Sequence, residues 1–157
     1  MVPQSPAEDE WMELALAEAR ATEHTHDVPV GAIVVDEHGS VIGRGRNRRE
    51  EAGDPTAHAE VLALRAAAAQ RGSWRLDDVT LVVTLEPCAM CAGTILAARV
   101  PRLVFGAWDD KAGAVGSVYD LLRDRRLPHR VDVTAGIRSA ECADLLTAFF
   151  RGSPTTP

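Results

Sequence analysis

Apolar positions change period several times along the chain, and each change marks an element. Trp11, Met12, Ala15, Leu16 and Ala19 recur at helical spacing behind Ser5-Pro6-Ala7-Glu8, a capping box with proline at the first helical position. A first helix is predicted over roughly residues 6–24. Residues 30–35 and 41–46 are short β-rich runs separated by the polar Asp36-Glu37-His38-Gly39-Ser40, which predicts a hairpin. Residues 47–57 are polar, carry Gly53 and Asp54-Pro55-Thr56, and read as a loop that ends in a helix cap near Thr56. An alanine-rich stretch with Val61, Leu62 and Leu64 predicts a second helix over 58–71, stopped by Gly72. The unbroken VTLVVTL run ending at Leu85 is the pattern of a strand buried on both faces, the centre of a sheet. Pro87 opens a third helix through about Ala98. Residues 103–106 and 131–135 are further strands, with a short helix over 117–124 between them and a closing helix over 139–151. This order predicts a five-stranded sheet covered by helices.

Length and composition narrow the class. A chain of 157 residues and 16.9 kDa fits one domain, here 1–157 with a core of about 6–151 and a tail from 152 to 157. Hydrophobic residues at 46% and charged residues at 25% are ordinary for a globular protein, which excludes disorder and fibrous repeats. No apolar run approaches the ~18–20 residues of a membrane span, and MVPQSPAEDE lacks the basic and apolar regions of a signal peptide. The expectation is a cytoplasmic protein with no membrane partner. Three cysteines in such a chain make no disulfide framework.

A net charge of −6 argues against a protein that grips nucleic acid by a broad electrostatic field. The charge is uneven, however. Residues 1–60 hold 13 acids against 5 arginines, whereas residues 61–157 hold 10 acids against 12 Lys plus Arg.

Two segments carry chemistry together: His58-Ala59-Glu60 at one helix start and Pro87-Cys88-Ala89-Met90-Cys91 at another. Cysteines three apart on a helix share a face, and a helix N-terminus stabilises thiolates. With His58 as a third ligand, two thiolates and a neutral imidazole would hold Zn2+ at a net charge near zero and leave a fourth position open for water. Zinc lowers the pKa of water from 15.7 to about 7, so a proton carrier is needed beside it. Glu60 is placed for that role. Cys-x-x-Cys alone fits a redox pair or half of a structural zinc site. Joined to His-x-Glu, it is the signature by which zinc nucleobase deaminases are known.

The match extends beyond that signature. Val28-Pro-Val-Gly-Ala32, Asp54-Pro-Thr-Ala-His-Ala-Glu60, Thr84-Leu-Glu-Pro-Cys-Ala-Met-Cys-Ala-Gly93, Val104-Phe-Gly-Ala107 and Gly113-Ala-Val-Gly-Ser117 resemble the bacterial tRNA-specific adenosine deaminases, the TadA family, over residues 11–151. The resemblance implies a cytidine deaminase-like three-layer α/β/α fold with a mixed sheet, a homodimer, and one Zn2+ per subunit. It also implies conversion of the wobble adenosine in a tRNA anticodon arm to inosine, releasing ammonia. By the same resemblance His58, Cys88 and Cys91 are the ligands and Glu60 the proton shuttle. Asn47 and the backbone at Ala59 hold the base edge, Val30 lines its face, and Asp109 meets the ribose or backbone beside it. Two departures stand out. The chain ends Gly-Ser-Pro-Thr-Thr-Pro rather than in further basic residues, which leaves Phe150 and Arg151 for stacking and phosphate contact, and Trp108 stands where a smaller or basic residue is expected.

The remaining candidates have a plainer reading. Cys142 shares the apolar side of the closing helix with Leu145, Leu146 and Phe149 and is expected to be a core thiol. His24, His26 and His38 are expected in solvent; His129 is a surface residue or an RNA contact. Trp74 and Trp108 fit packing or stacking. The clusters Arg44, Arg46, Arg48, Arg49 and Arg123, Arg125, Arg126, Arg130 fit either a solvated surface or phosphate binding. Two other functions fit the motif: a free-base or nucleoside deaminase of the guanine or cytosine type, and a non-catalytic zinc- or RNA-binding module. Glu60 speaks against the second, because a structural zinc needs no proton shuttle.

Overall fold

The computed structural model describes residues 5–152. Helix α1 (Pro6–Arg20) starts on the predicted capping box: Glu8 N–H donates to the Ser5 hydroxyl at 3.2 Å, and Ser5 N–H donates to the Glu8 carboxylate at 3.3 Å. The helical path continues to His24, but its last turn tightens to a 3-10 helix at Ala21–His24. There the Thr22 hydroxyl donates to the Ala19 carbonyl at 2.8 Å.

Strands β1 (Gly31–Val35) and β2 (Val41–Arg46) form the expected hairpin, its turn closed by Asp36 accepting from the backbone of His38 and Ser40. The expected loop at 47–57 contains a four-residue helix, α2 (Arg49–Ala52). Its first turn is held from outside: the buried Asp27 carboxylate accepts Glu50 N–H at 2.6 Å and Glu51 N–H at 3.2 Å. Helix α3 (Ala59–Arg71) ends on Gly72 in the left-handed conformation, as its sequence predicts. Strand β3 (Thr80–Leu85) is followed by α4 (Ala89–Ala97), β4 (Arg102–Ala107), β5 (Asp132–Ala135) and α5 (Ser139–Gly152). Helix α4 starts two residues after Pro87, because Cys88 is the cap and stays extended.

The sheet order is β2-β1-β3-β4-β5, with β3 at the centre; β1 is antiparallel to β2 and β3, while β3, β4 and β5 run parallel. Strand alternation divides the core into two layers. Ile33, Val35, Val82 and Val104 face Met12 and Leu16 of α1 and Cys142 of α5. Ala32, Val34, Leu81, Val83, Leu103 and Phe105 face Ala63 and Leu64 of α3 and Ile95 of α4. The result is the mixed-sheet α/β/α sandwich expected. Gly43 and Gly45 let α3 lie unusually close to β2: an added Cβ would sit 2.4 Å from the Ala63 carbonyl oxygen and 2.3 Å from that of Ala59. That proximity fixes the start of α3, where the chemistry sits.

One expected element is absent. Residues 117–124 form no helix; this stretch is made of turns and an isolated bridge between Val115 and Asp120. The amides of Val115 and Ser117 donate instead to the Glu86 carboxylate, at 2.9 and 3.1 Å, and the apolar Leu122 is drawn into the core. Among the described residues no helix is long and apolar enough to cross a membrane.

Candidate active site

Helices α3 and α4 begin at the same end of the sheet, and each is preceded by a residue in extended conformation, His58 and Cys88. Neither cap residue hydrogen-bonds its own helix through the side chain, so imidazole and thiol are free to turn toward each other. His58 Nδ1 lies 3.6 Å from Cys88 Sγ and 3.5 Å from Cys91 Sγ, and the three donor atoms lie within 4.8 Å of one another. Zinc bonds of about 2.3 Å to sulfur and about 2.0–2.1 Å to nitrogen, at a tetrahedral angle, place S and N about 3.6 Å apart. The three side chains therefore fit one zinc ion with a fourth position left open.

Electrostatics support the same reading. The hydrogen bond from Cys91 holds the Cys88 thiol down to about 4 against burial, with His58 adding to the effect. The Cys91 thiol, donor to Cys88 and buried, is pushed up, and His58 is raised chiefly by its bond to Cys88. Protein alone thus stabilises one thiolate of the pair. A dication stabilises both, and the two helix N-termini add partial positive charge.

Glu60, in the first turn of α3, is 4% exposed and faces the same space. Burial raises its pKa, which suits a group that must take up a proton and give it back. A cleft of about 220 Å³ opens over the cluster, walled by Val28, Val30, Asn47, Arg49, Leu85 and Asp109. Its lining combines apolar side chains with a few polar groups, the usual makeup of a small-ligand site.

Residues 5–107 match the family described as the cytidine and deoxycytidylate deaminase zinc-binding region. A tRNA-specific adenosine deaminase of Streptococcus pyogenes serotype M1 is 45% identical over 141 residues, 90% of this chain and 82% of that protein. The tRNA-specific adenosine deaminase of Haemophilus influenzae is 45% identical over 147 residues, 94% of this chain and 85% of its own. The chain belongs to the tRNA-specific adenosine deaminase family. Among solved structures, one from work on A-to-I editing by tRNA:A34 deaminases at the wobble position superposes with a TM-score of 0.83 at 44% identity, covering 87% of this chain and 99% of that one. The guanine deaminase from Nitrosomonas europaea shares the fold at a TM-score of 0.78 and 30% identity, over 95% of this chain and 86% of its own. The protein is a zinc deaminase, which hydrolyses a C–N bond.

Of the residues the sequence singles out in this deaminase, Val30, Asn47, His58, Ala59, Glu60, Cys88 and Asp109 all line the cleft. Asn47 is locked by backbone: its Nδ2 donates to the Val28 carbonyl at 3.1 Å and its Oδ1 accepts Arg49 N–H at 3.1 Å. Asp109 Oδ1 caps its own turn by accepting from Lys111 and Ala112. Phe150 and Arg151 do not line the cleft; they are exposed on the last turn of α5. Phe149, the residue before them, borders a separate groove with Thr25 and Pro29, and Pro29 is the chain neighbour of the cleft residues Val28 and Val30.

Cys142 is buried in the core and far from ligation geometry, as expected. His24, His26 and His38 are exposed. His129 is half-buried with Nε2 2.8 Å from the Val100 carbonyl, so that nitrogen donates within the protein. Trp74 and Trp108 are 61% and 53% exposed; Trp108 meets Phe105 edge-on and Trp74 lies under the Arg99 guanidinium.

Sequence reading missed Glu86. This acid is 2% exposed and accepts from the backbone of Asp109, Val115 and Ser117 and from the Ser117 hydroxyl. Burial pushes its pKa up, but these four bonds outweigh burial and hold it below its ordinary value. Glu86 thus fixes the loop that carries Asp109. The signal was an acid at the end of the most apolar strand, where only a partnered carboxylate can be accommodated. Asp27 was missed for the same reason: its partners lie 23 and 24 residues away.

Proposed function

We propose that this protein deaminates the wobble adenosine of a tRNA anticodon arm to inosine, with one zinc ion per subunit held by His58, Cys88 and Cys91. The observation that carries the proposal is the meeting of those three donors with buried Glu60 in one base-sized cleft, within a chain 43–45% identical to tRNA-specific adenosine deaminases.

Zinc supplies the acidity that makes water a nucleophile near neutral pH. Glu60 takes one proton from the attacking water and passes it to the adenine ring nitrogen as oxygen adds at C6; it then takes the remaining proton from the new C6 hydroxyl and delivers it to the departing amine. Water and adenosine become inosine and ammonia, and Glu60 returns to its starting state. Val30 packs against the base face. The Ala59 N–H, a first-turn amide that α3 cannot itself satisfy, and the backbone-locked Asn47 bind the base edge. Asp109 meets the ribose or backbone, and Phe150 and Arg151 at the end of α5 touch RNA beyond the target base. An unpaired loop nucleotide suits such a cleft, because extruding a base from a duplex costs a few kcal/mol.

We further place the enzyme in the cytoplasm, as a single-domain homodimer. The free-base reading keeps the same metal and Glu60 but predicts turnover of guanine; the fold alone admits it, at the lower identity of the guanine deaminases. The catalytic assignment is tested with Glu60→Gln. The variant is expected to keep one zinc per subunit and lose at least about 100-fold in kcat, the scale of general acid–base catalysis. Full activity with bound zinc would overturn the role of Glu60.

A further inference from the structure

Four arginines lie on β2 and the segment that follows it, Arg44, Arg46, Arg48 and Arg49, and the structure treats one of them differently. Arg46 and Arg48 both spend their charge on Glu51, at 2.9 and 3.2 Å, and Arg44 faces Glu18 at 3.7 Å. Arg49 has no acidic partner among the described residues, is exposed, and is the arginine that lines the cleft. Its backbone is held firmly. Arg49 N–H donates to Asn47 Oδ1, its carbonyl accepts from Asp54 N–H at 3.2 Å, and buried Asp27 clamps the next two amides. A rigid base thus presents an uncompensated guanidinium at the mouth of a cleft whose floor is the zinc site.

The carboxylates around Arg49 are spent elsewhere: Asp27 accepts the Glu50 and Glu51 amides, Glu51 pairs with Arg46 and Arg48, and Asp54 accepts from Thr56, which leaves the Arg49 guanidinium uncompensated among the described residues. A base is uncharged and gives a guanidinium nothing to neutralise. A phosphate matches its fork of donors. We infer that Arg49 binds a backbone phosphate adjoining the target nucleotide and so selects polynucleotide over free base. The inference rests on the tRNA reading above and names one contact within it.

The test uses zinc-loaded, full-length enzyme and an anticodon stem-loop with a wobble adenosine, at salt from about 50 to 200 mM. Arg49→Ala is expected to lower kcat/KM about tenfold through KM, with kcat unchanged, as removal of one charge-assisted contact should. The slope of log kcat/KM against log salt should become shallower by about 0.7–0.9, one phosphate's worth. Arg49→Lys should recover most of that slope. Arg75→Ala removes the same charge from an arginine paired with Asp77 outside the cleft, and should leave the slope alone. Replacing the linkages flanking the adenosine by neutral methylphosphonates should weaken wild type at one linkage and leave Arg49→Ala no weaker there. Equal slopes for wild type and Arg49→Ala, or a loss in kcat alone, would overturn the phosphate contact while leaving the tRNA reading intact. No inosine from wild type on the stem-loop would overturn that reading, and this inference with it.

Discussion

Cys88 and Cys142 are chemically identical thiols in opposite surroundings. Cys88 caps α4 beside Cys91 and His58 and is held down to about 4; Cys142 is 1% exposed, and burial pushes its thiol up to about 11. In metal-free protein at pH 7–8, iodoacetamide should therefore modify Cys88 and spare Cys142, as peptide mapping by mass spectrometry will show. Zinc should protect Cys88. Modification of Cys142 first would contradict the assigned environments. The sign for stability is set by the same shift. Folded Cys142 prefers its proton more than an unfolded thiol near 8.5, so its ionisation costs stability as pH rises from about 8.5 toward 11 and costs nothing at neutrality. The ligands were legible in the sequence because their identity and spacing are local. Glu86 was not, because its partners arrive from residues 109–117 and only the fold brings them.

At the scale of elements, two carboxylates organise what would otherwise be loops. Glu86 gathers three amides and a hydroxyl, and Gln in its place offers a single acceptor oxygen and an amide group that itself donates. Glu86→Gln should destabilise the fold by about 2–3 kcal/mol, read as a lower urea midpoint, because buried donors lose their partner. An unchanged midpoint would show that the loop is held by something else. Asp27→Ala should cost about 1 kcal/mol, the scale of a lost helix cap, and should speed hydrogen exchange at Glu50 and Glu51 while leaving β3 protected. Uniform acceleration would point to a global rather than local role. These two acids also explain where sequence reading failed. A four-residue helix such as α2 has no period to detect, and it forms because Asp27 is waiting for it. The helix expected at 117–124 gives way to turns because its amides bond outside the helical ladder: Val118 and Tyr119 N–H donate to the Gly113 carbonyl and Leu121 N–H to that of Ala114, on a loop anchored by Glu86. By contrast α1, α3, β3 and α5 declared themselves through capping, glycine stops and apolar runs that need no distant partner.

For the whole molecule, folding and metal binding are linked. Three donors from two helix starts come into range only in the native state, so zinc should raise the melting temperature of stripped protein in a concentration-dependent way. His58→Ala should flatten that response; a full zinc-dependent rise in the variant would contradict the ligand set. The charge balance bears on the same scale. An acidic chain can bind RNA if a cation sits unpaired at the cleft, and composition alone could not show that Arg46 and Arg48 are paired with Glu51 while Arg49, which lines the cleft, has no acidic partner among the described residues. The most direct measurement of the central claim is to incubate the zinc-loaded protein with an anticodon stem-loop bearing a wobble adenosine, and separately with guanine, cytosine and adenosine, following inosine and ammonia. Inosine formed at the wobble position alone is the predicted result. Ammonia from a free base with the stem-loop untouched would contradict it.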